Sequence, residues 1–470
     1  MISPKAVFLM LVLGATMSSQ NGGDDPLPNQ IIIDPQNSGR LAYNRDADGD
    51  GKPDPLFLCG PGGPEGFLFS DISGDGTPDT VLDKIIRYGG NTMYLIAVRS
   101  HGGDGKPDHN PFLKGDPEKG LDPKRLRGWE RWFRRMEDGG INIFLFLYDD
   151  DVDLWKGEEI YPQERRYVEG MVNALEHHPN LVWVIAEEYS ESLSKGKVRK
   201  LAKMIRATDD HDHLIGVHQL PGTDFDFPED PDIELFLMQL DKGVNSFEEV
   251  HEACREAVRR ASGRYPVIMA ELPWHLELLV KGDRDGVRKV NWAAAMAGVS
   301  GVMHLGTWER AQNRKPPTQG MLEDYAHLYR FMESLPDLNE MRCRDGLVLK
   351  GKAWVLARRG HYVVYLPRGE PIRIDLSEAE GDLTAVWYDP RTGRERKAGK
   401  VKGGRVADFV PPDGRDWVLH IRPLPQAKGV RASCVPDTPQ ASTGNPHSLR
   451  LWRSSDLNRI RNGLLSPSCR

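Results

Sequence analysis

The 470-residue sequence has little cysteine, few long apolar runs and no strong excess of either charge. Its five cysteines are scattered without a CxxC pair, so they do not form the pattern of a disulfide framework, and their odd number leaves at least one unpaired. Lys and Arg number 62 against 69 Asp and Glu, and a net charge of −7 lacks the basic surface that nucleic-acid binding needs. Apolar residues make up 39% and charged residues 28% of the chain, which excludes a collagen, a coiled-coil rod and a polytopic membrane protein.

The first 20 residues have the layout of a secretory signal peptide. Lys5 precedes an apolar run over residues 6–17, which Ser18, Ser19 and Gln20 follow. A run of this length is too short to span a bilayer. We therefore expect residues 1–20 to be removed and the chain to be secreted or held in the cell envelope, without stable insertion in a membrane. An uncleaved membrane anchor is the alternative.

Between about residues 30 and 345, apolar strand-like runs alternate with helix-like runs. Apolar strands that alternate with helices are typical of a parallel sheet covered on both faces. Eight such strands favour a (β/α)8 TIM barrel, in the α/β class, over an open doubly wound sheet. No GxGxxG motif follows the first strand, so the fingerprint of a dinucleotide-binding domain is missing. The predicted strands begin near residues 56, 92, 143, 181, 214, 233, 266 and 299.

The pattern changes after residue 345, so we assign residues 21–345 to the barrel. Six short strands, separated by turns such as Asp389-Pro390 and Asp413-Gly414, predict a small all-β sandwich over residues 346–423. Residues 424–470 are rich in Ser, Pro, Asn and Arg, carry an excess of positive charge and show no sustained hydrophobic period. This composition predicts a disordered tail.

Polar residues follow the ends of the predicted barrel strands. In a (β/α)8 barrel these positions line the active site at the C-terminal face. Paired carboxylates are what glycoside hydrolysis requires, one as a proton donor and one as a nucleophile. Any single one of these residues is more often a structural polar group, so the prediction rests on their joint placement. They are Arg99, His101, Asp149, Asp150, Glu187, Glu188, His218, Gln239, Glu271, His275 and Trp308.

Two strand ends carry a resemblance to known enzymes. Strand four ends WVIAEEY and strand seven ends VIMAELPWH, and glutamates in these places mark the large clan of retaining (β/α)8 glycosidases. The segments GPGGPEGFLF, YLIAVRSHGGDG and WYDPRTGRE more closely resemble the apiosidase-like glycoside hydrolases. In that family a small domain described as a putative collagen-binding domain of a collagenase follows the barrel, and FVPPDGRDWVLHI resembles its end. The resemblance spans about residues 35–423.

The resemblance implies a secreted glycosidase that acts on a polysaccharide or its side chains by a retaining mechanism. It makes Glu188 the acid/base and Glu271 the nucleophile. The clan has Asn before its acid/base glutamate, whereas this chain has Glu187 there, so the choice between Glu187 and Glu188 stays open. Because adjacent residues of a strand face opposite sides, we expect only one of the two to enter the barrel mouth.

The other strand-end residues have roles that the same resemblance implies. Arg99 would keep the nucleophile ionised by its opposite charge, Trp308 would stack on a sugar ring, and His218 and Gln239 would bind hydroxyl groups. The clan often has Tyr in the place of Gln239. A non-catalytic carbohydrate- or matrix-binding protein on a degenerate barrel is the alternative, and the unusual Glu187 motivates it. For Trp308, core packing is an equally good interpretation.

Two Asp-rich segments near the start of the barrel have the spacing of calcium loops. Residues 46–54 match positions 1, 3, 5, 6 and 9 of such a loop, residues 71–79 repeat the pattern, and oxygen ligands around a Gly turn suit a hard cation. Phe57 and Leu82 replace the bidentate Glu of an EF-hand, and a plain Asp-Gly turn is the alternative. The candidate calcium ligands are Asp46, Asp48, Asp50, Asp54, Asp71, Asp75 and Asp79.

No Walker A, HExxH, GxSxG or cysteine-based zinc spacing occurs in the sequence. Cys59 and Cys254 lie on apolar faces and are predicted to be core thiols. The tight histidine groups at 177–178 and 211–213 are expected to be solvated. We therefore expect catalysis without a cofactor, structural calcium at most, and a carbohydrate as the partner. The sequence carries no signal for oligomeric state.

Overall fold

The structure is a computed structural model that describes residues 26–63, 66–72, 77–305 and 316–424. The signal peptide predicted at 1–20 lies outside the described residues, and so does the predicted tail from residue 425 onward. In the part of the chain that is described, no helix has the length and apolar character needed to cross a membrane.

A three-stranded antiparallel sheet comes first, formed by β1 (Ile31–Asp34), β2 (Asn37–Tyr43) and β3 (Asp54–Leu56). The sequence predicted one strand from Leu56 to Cys59, and this is wrong. The chain forms two strands there, because β3 pairs antiparallel with β2 while β4 (Leu58–Gly60) pairs parallel with the last strand of the barrel.

Eight parallel strands form the barrel wall, as the sequence predicted. After β4 they are β5 (Thr92–Ile96), β6 (Asn142–Tyr148), β7 (Leu181–Ala186), β8 (Ile215–His218), β9 (Leu235–Gln239), β10 (Val267–Glu271) and β11 (Gly301–Met303). Hydrogen bonds join them in the order β4, β11, β10, β9, β8, β7, β6, β5. Asn91, just before β5, brings the two ends of this order together, since its backbone N–H donates to the carbonyl of Cys59 at 3.0 Å.

Helices cover the outside of the wall. They are α1 (Pro78–Tyr88), α2 (Pro123–Asp138), α3 (Pro162–Leu175), α4 (Lys195–Thr208), α5 (Phe247–Ala261), α6 (Pro273–Lys281), α7 (Arg284–Met296) and α8 (Gln319–Glu333). Four of them begin with Pro, which suits a first turn that has no use for the missing N–H. Each strand therefore contacts apolar residues on both faces. In β6, Phe144 and Phe146 point into the barrel while Leu145 packs under the helices.

The N-terminal sheet closes the end of the barrel opposite to the strand ends that carry the predicted site. Ile31, Leu41 and Leu56 belong to the same buried cluster as the barrel interior. The amide of Asn142, the first residue of β6, donates to the hydroxyl of Tyr43 at 3.2 Å. The loop between β2 and β3, which holds the first Asp-rich segment, therefore lies at the end of the barrel away from the strand termini.

Two antiparallel sheets follow the barrel and form a β domain. Its strands are β12 (Arg342–Cys343), β13 (Val348–Lys350), β14 (Trp354–Arg358), β15 (His361–Leu366), β16 (Ile372–Asp375), β17 (Asp382–Asp389), β18 (Arg394–Lys402), β19 (Val406–Phe409) and β20 (Trp417–Pro423). The larger sheet has the order β12-β14-β15-β20-β17-β18 and the smaller one β13-β16-β19. The sequence did not predict β18, because its mostly charged residues are exposed and show no apolar alternation.

A buried ion-pair network joins the barrel to the β domain. Arg288 of α7, only 1% exposed, donates to Asp416 at 2.8 and 2.9 Å and to Asp324 of α8 at 3.3 Å. The hydroxyl of Tyr365 in β15 also donates to Asp416, at 3.1 Å. Trp292 stacks on Tyr365 with ring centroids 5.2 Å apart. Arg288 thus compensates Asp416 and shares Asp324 with Arg284, which donates two hydrogen bonds of 2.8 Å to that carboxylate.

Replacing Arg288 by methionine tests this network. The change leaves Asp416 buried without its cation, and an uncompensated buried charge lowers the free energy of unfolding by about 3–5 kcal/mol. Arg373→Met is the matched control, because Arg373 forms an exposed pair with Asp408 that contributes little. Urea unfolding followed by tryptophan fluorescence measures both. Equal midpoints for Arg288→Met and wild type would contradict the role of the network.

Candidate active site

The strand-end carboxylates meet at the mouth of the barrel. Asp149 and Asp150 follow β6, Glu187 follows β7, and Glu271 ends β10. Oxygens of Asp149, Asp150 and Glu187 lie within 4.8 Å of one another. Oxygens of Glu187 and Glu271 and a ring nitrogen of His218 form a second group within the same 4.8 Å limit. Glu187 belongs to both groups and so connects the two sides of the mouth.

A buried ion pair fixes one side of the mouth. Arg99, 3% exposed, donates through Nε to Asp149 at 3.2 Å. Asp149 also contacts the loop after β5, since its Oδ2 accepts the N–H of Asp104 at 3.0 Å. Gly103 has to be glycine here, because a Cβ on it would lie 2.4 Å from the same oxygen. The loop is therefore tied closely to the end of β6.

Asp150 is set apart from the other acids by its pKa. Burial, and then the negative charges of Asp149, Asp104, Glu191 and Glu188, raise the pKa of Asp150 to about 8. Its Oδ1 is buried and has no hydrogen-bond partner among the described residues. The carboxyl group is therefore largely protonated at neutral pH and is available as a hydrogen-bond donor in the mouth.

Glu188 lies just beyond β7, where the backbone leaves the strand. It has a left-handed conformation with φ 37°, so the alternation of strand faces does not apply to it. The prediction that only one of Glu187 and Glu188 enters the mouth is therefore wrong. The backbone N–H of Glu188 donates to Nδ1 of His218 at 3.1 Å, and the side-chain amide of Gln239 donates to its Oε1.

The surroundings of Glu188 make it a weaker acid than an ordinary glutamic acid. Burial raises the pKa of Glu188, the hydrogen bond from Gln239 lowers it, and the carboxylates of Glu191 and Asp104 raise it further. The net direction is upward. A raised pKa favours the protonated carboxyl group, which is the state that a general acid needs.

His218 places a neutral ring beside Glu271, with its Nε2 beyond hydrogen-bond distance of the carboxylate. The ring is fully buried, and burial lowers the pKa of His218 to about 3, so the ring is neutral. Its Nδ1 accepts the N–H of Glu188, which assigns the ring proton to Nε2. Nε2 faces Oε2 of Glu271 at 3.9 Å. A nitrogen that carries a proton has no lone pair for a metal ion.

Two other predicted residues, His275 and His101, are placed differently. His275 lies in the first turn of α6, fully buried against His304 with ring centroids 3.2 Å apart, and burial lowers its pKa to about 3. His101 is exposed, with φ 65°, and its carbonyl accepts the N–H of Asp153 at 2.7 Å. Trp308 lies outside the described residues. Sequence reasoning missed Glu191, because nothing marks one more exposed acid three residues after Glu188.

The histidine groups that were expected to be solvated are partly buried. His178 is fully buried, with its ring nitrogens 3.0 Å from Glu130 and 3.0 Å from Glu137. His213 is fully buried against Asp209, at 3.0 Å. The prediction was wrong for these two residues because carboxylates of other elements cover them. Cys59 and Cys254 are buried in the core, as predicted.

The first Asp-rich loop is ordered around one carboxylate. Asp46 accepts the backbone N–H groups of Gly49, Asp50 and Gly51 at 2.7–3.0 Å. Oxygens of Asp46, Asp48 and Asp50 lie within 4.8 Å of one another, and all three residues are exposed. Asp54 instead accepts a hydrogen bond from Arg45 at 2.8 Å. Three of the four predicted ligands therefore converge.

The second Asp-rich segment is arranged differently. Asp79 lies in the first turn of α1 and pairs with Arg135 of α2 at 2.8 Å. Asp71 pairs with Lys106 and lies 3.4 Å from His109. Asp75 lies outside the described residues. Asp71 and Asp79 are thus engaged with cations of the chain itself, because a helix begins where the loop pattern would continue.

Comparison with known proteins places this fold among proteins titled as glycoside hydrolases. A solved structure titled "Glycoside hydrolase" shares 17% identity over 85% of this chain and 99% of its own, with a TM-score of 0.64. A glycoside hydrolase family 5 protein from Bacteroides vulgatus shares 16% identity over 87% of this chain and 96% of its own, also with a TM-score of 0.64. At these identities the likeness establishes the fold.

The β domain has a family match of its own. Residues 347–422 match the family described as "Putative collagen-binding domain of a collagenase". This confirms the resemblance that the sequence showed for that segment. No curated protein matches the chain.

Asp150→Asn tests the protonated state of this acid. The pKa of this carboxyl group is 3.8 in the unfolded chain and about 8 in the folded chain. Between these values the folded chain holds a proton that the unfolded chain has released, so the wild type loses stability as pH rises. Asparagine removes this loss. We expect the melting temperature of Asp150→Asn relative to wild type to increase from pH 4 to pH 8. Exposed Asp151→Asn is the control, and parallel curves for Asp150→Asn and wild type would refute the assignment.

Proposed function

We propose that the protein is a retaining glycoside hydrolase that is secreted or held in the cell envelope. One observation carries the proposal: carboxylate oxygens of Glu187 and Glu271, from the ends of β7 and β10, lie within 4.8 Å of each other at the barrel mouth. Retaining glycosidases hold their two catalytic carboxyl groups about 5–5.5 Å apart, whereas inverting ones leave about 6.5–9.5 Å for a water molecule. The short separation therefore supports retention directly if Glu187 is the acid/base. Because the end of β7 lies this close to Glu271, the adjacent Glu188 is also a candidate for the same role. The fold likeness and the family of the β domain support the same class.

In the proposed mechanism Glu271 is the nucleophile. One of its oxygens attacks the anomeric carbon while the bond to the leaving oxygen breaks, which gives a covalent glycosyl-enzyme. The Nε2–H of His218, 3.9 Å from Glu271, favours the ionised carboxylate. Water then attacks the same carbon and releases Glu271. The buried pair of Arg99 and Asp149 holds the neighbouring loop in place during both steps.

We assign the acid/base role to Glu188. Its raised pKa suits a group that donates its proton to the leaving oxygen and later removes one from the attacking water. Gln239 orients the carboxyl group through its amide. Glu187 is the competitor, because it is the residue within 4.8 Å of Glu271. In our assignment Glu187 contacts the sugar next to the scissile bond, in the place where the clan has Asn.

Glutamine variants of Glu271, Glu188 and Glu187, with one control, separate the roles. We expect Glu271→Gln to lose turnover with every substrate. Glu188→Gln should lose about 10²–10⁴-fold with poor leaving groups and far less with dinitrophenyl glycosides, which need no protonation. Azide should rescue Glu188→Gln with retention of configuration. Glu380→Gln, the control at an exposed acid of the β domain, should stay within a few-fold of wild type. If Glu187→Gln shows the leaving-group dependence and Glu188→Gln does not, the two roles are exchanged.

A screen of substrates distinguishes an enzyme from a carbohydrate-binding protein that has the same fold. A plant or algal polysaccharide side chain is what the resemblance suggests. Screening the purified chain against aryl glycosides and against pectic and algal polysaccharides measures turnover and binding together. The non-catalytic alternative would be favoured if the wild type bound a glycan without cleaving it. The wild type and Glu271→Gln would then bind that glycan with equal affinity.

We also propose that the loop of Asp46, Asp48 and Asp50 binds calcium. Three converging carboxylates repel one another unless a cation neutralises them, and extracellular calcium fills even a weak site of about 10⁻⁴–10⁻³ M. Calcium should then raise the melting temperature and chelator should lower it. Asp48→Ala/Asp50→Ala should abolish the difference, whereas Asp79→Ala should keep it. Equal melting temperatures with calcium and with chelator would contradict calcium binding, and the loop would then be a plain Asp-Gly turn.

A further inference from the structure

Three unlike metal-ligating groups meet where the barrel joins the β domain. His251 lies on α5, Cys343 ends β12, and Asp345 follows it. Nε2 of His251 is 2.8 Å from Oδ2 of Asp345, the Cys343 Sγ is 3.2 Å from the same oxygen, and Sγ is 3.8 Å from Nε2. None of the three belongs to the barrel mouth, and the proposed glycosidase chemistry does not use them.

The ring of His251 presents a lone pair to the other two groups. Its Nδ1 is 2.9 Å from the carbonyl of Ala293. A carbonyl oxygen only accepts, so Nδ1 carries the proton and the neutral ring has its lone pair on Nε2. The ring is buried and stacks on Trp354, with centroids 4.7 Å apart. Metal-bound histidines are held in the same way, with the second nitrogen donating to a carbonyl or carboxylate.

Asp345 is oriented toward the same point. Its Oδ1 accepts the backbone N–H of Val355 at 2.8 Å, which leaves Oδ2 to face His251 and Cys343. The nearby Arg255 is engaged with Glu252, with contacts of 2.7–3.0 Å. The two acidic groups of the cluster are therefore not neutralised by a direct ion pair with this arginine.

The triangle of ligand atoms has the size of one face of a zinc tetrahedron. Zn–N and Zn–O bonds of about 2.0–2.1 Å and Zn–S bonds of about 2.3 Å give tetrahedral edges of about 3.3–3.5 Å. The three observed separations, 2.8, 3.2 and 3.8 Å, lie on both sides of that range. An ion at the centre requires shifts of only a few tenths of an ångström in each side chain.

We propose that His251, Cys343 and Asp345 bind a divalent ion of the zinc type. A thiolate and an imidazole select zinc over calcium or magnesium, which prefer oxygen alone. One thiolate and one carboxylate balance the double positive charge. Binding releases the thiol proton, and also the proton that the 2.8 Å contact between His251 and Asp345 requires in the absence of metal.

A cavity lies beside two of the three proposed ligands. It has a volume of about 600 Å³ and is lined by His251, Asp345, Trp354 and Lys352 among others. Water or a small anion supplies the fourth ligand there. The ion also links α5 of the barrel to the first strand of the β domain, so it should stabilise the folded chain.

Cobalt and zinc binding test the proposal on the full chain, purified without a polyhistidine tag. Cys434 and Cys469 are replaced by alanine, so that the remaining thiols are Cys59, Cys254 and Cys343. We expect about one zinc per chain and a near-ultraviolet thiolate-to-cobalt absorption band on titration with Co²⁺. Cys343→Ser should abolish the band and weaken zinc binding by more than about 100-fold, beyond the effect of losing only a hydrogen-bond partner of a ligand. His251→Gln should weaken zinc binding equally.

Cys254→Ala is the matched control, because Cys254 is a buried thiol on the same helix and lies outside the cluster. It should keep both the band and the zinc. Absence of a thiolate band in the parent chain at saturating Co²⁺ overturns the proposal, and this measurement does not depend on any variant folding. Zinc retained by Cys343→Ser would overturn it as well. Zinc should raise the melting temperature of the parent and of Cys254→Ala, but not of Cys343→Ser.

Discussion

The parallel register of the eight barrel strands decides where the polar residues that follow them lie. Parallel strands all end at one rim, so Asp149, Glu187, His218 and Glu271 come from four strands far apart in sequence and still share one mouth. The N-terminal sheet closes the other end of the barrel with apolar residues such as Leu41. The same register thus gives the barrel one apolar end and one acidic end.

Gathering acids at one rim creates a repulsion that the chain offsets in several ways. Arg99 is a buried cation that pairs with one of these acids, Asp149. The amide of Gln239 and the retained proton of Asp150 relieve the rest. A site that keeps protons on its carboxyl groups near neutral pH is suited to giving one to a leaving group, and this links the electrostatics of the mouth to the proposed chemistry.

Sequence periodicity predicted the eight-stranded barrel, although not the bounds of its first strand, because the wall strands are apolar on both faces and most are followed by polar residues. It failed where burial depends on another element. His178 is buried by carboxylates of α2, and β18 is a strand with almost no apolar residues. It also failed at Glu188, where a left-handed residue after the strand breaks the alternation on which the choice between Glu187 and Glu188 depended. Contacts between segments that are distant in sequence leave no periodic pattern in the sequence, so periodicity cannot predict them.

The junction between barrel and β domain illustrates the same point. The boundary drawn at residue 345 follows a change in strand pattern, yet packing crosses it without interruption. Arg288 of α7 compensates Asp416, and His251 of α5 contacts Asp345, with partners 128 and 94 residues apart. Buried charges on the barrel helices need carboxylates from the β domain, and the reverse holds as well. Each part should therefore be less stable when it is separated from the other, because charges that the other part compensates would be left without a partner.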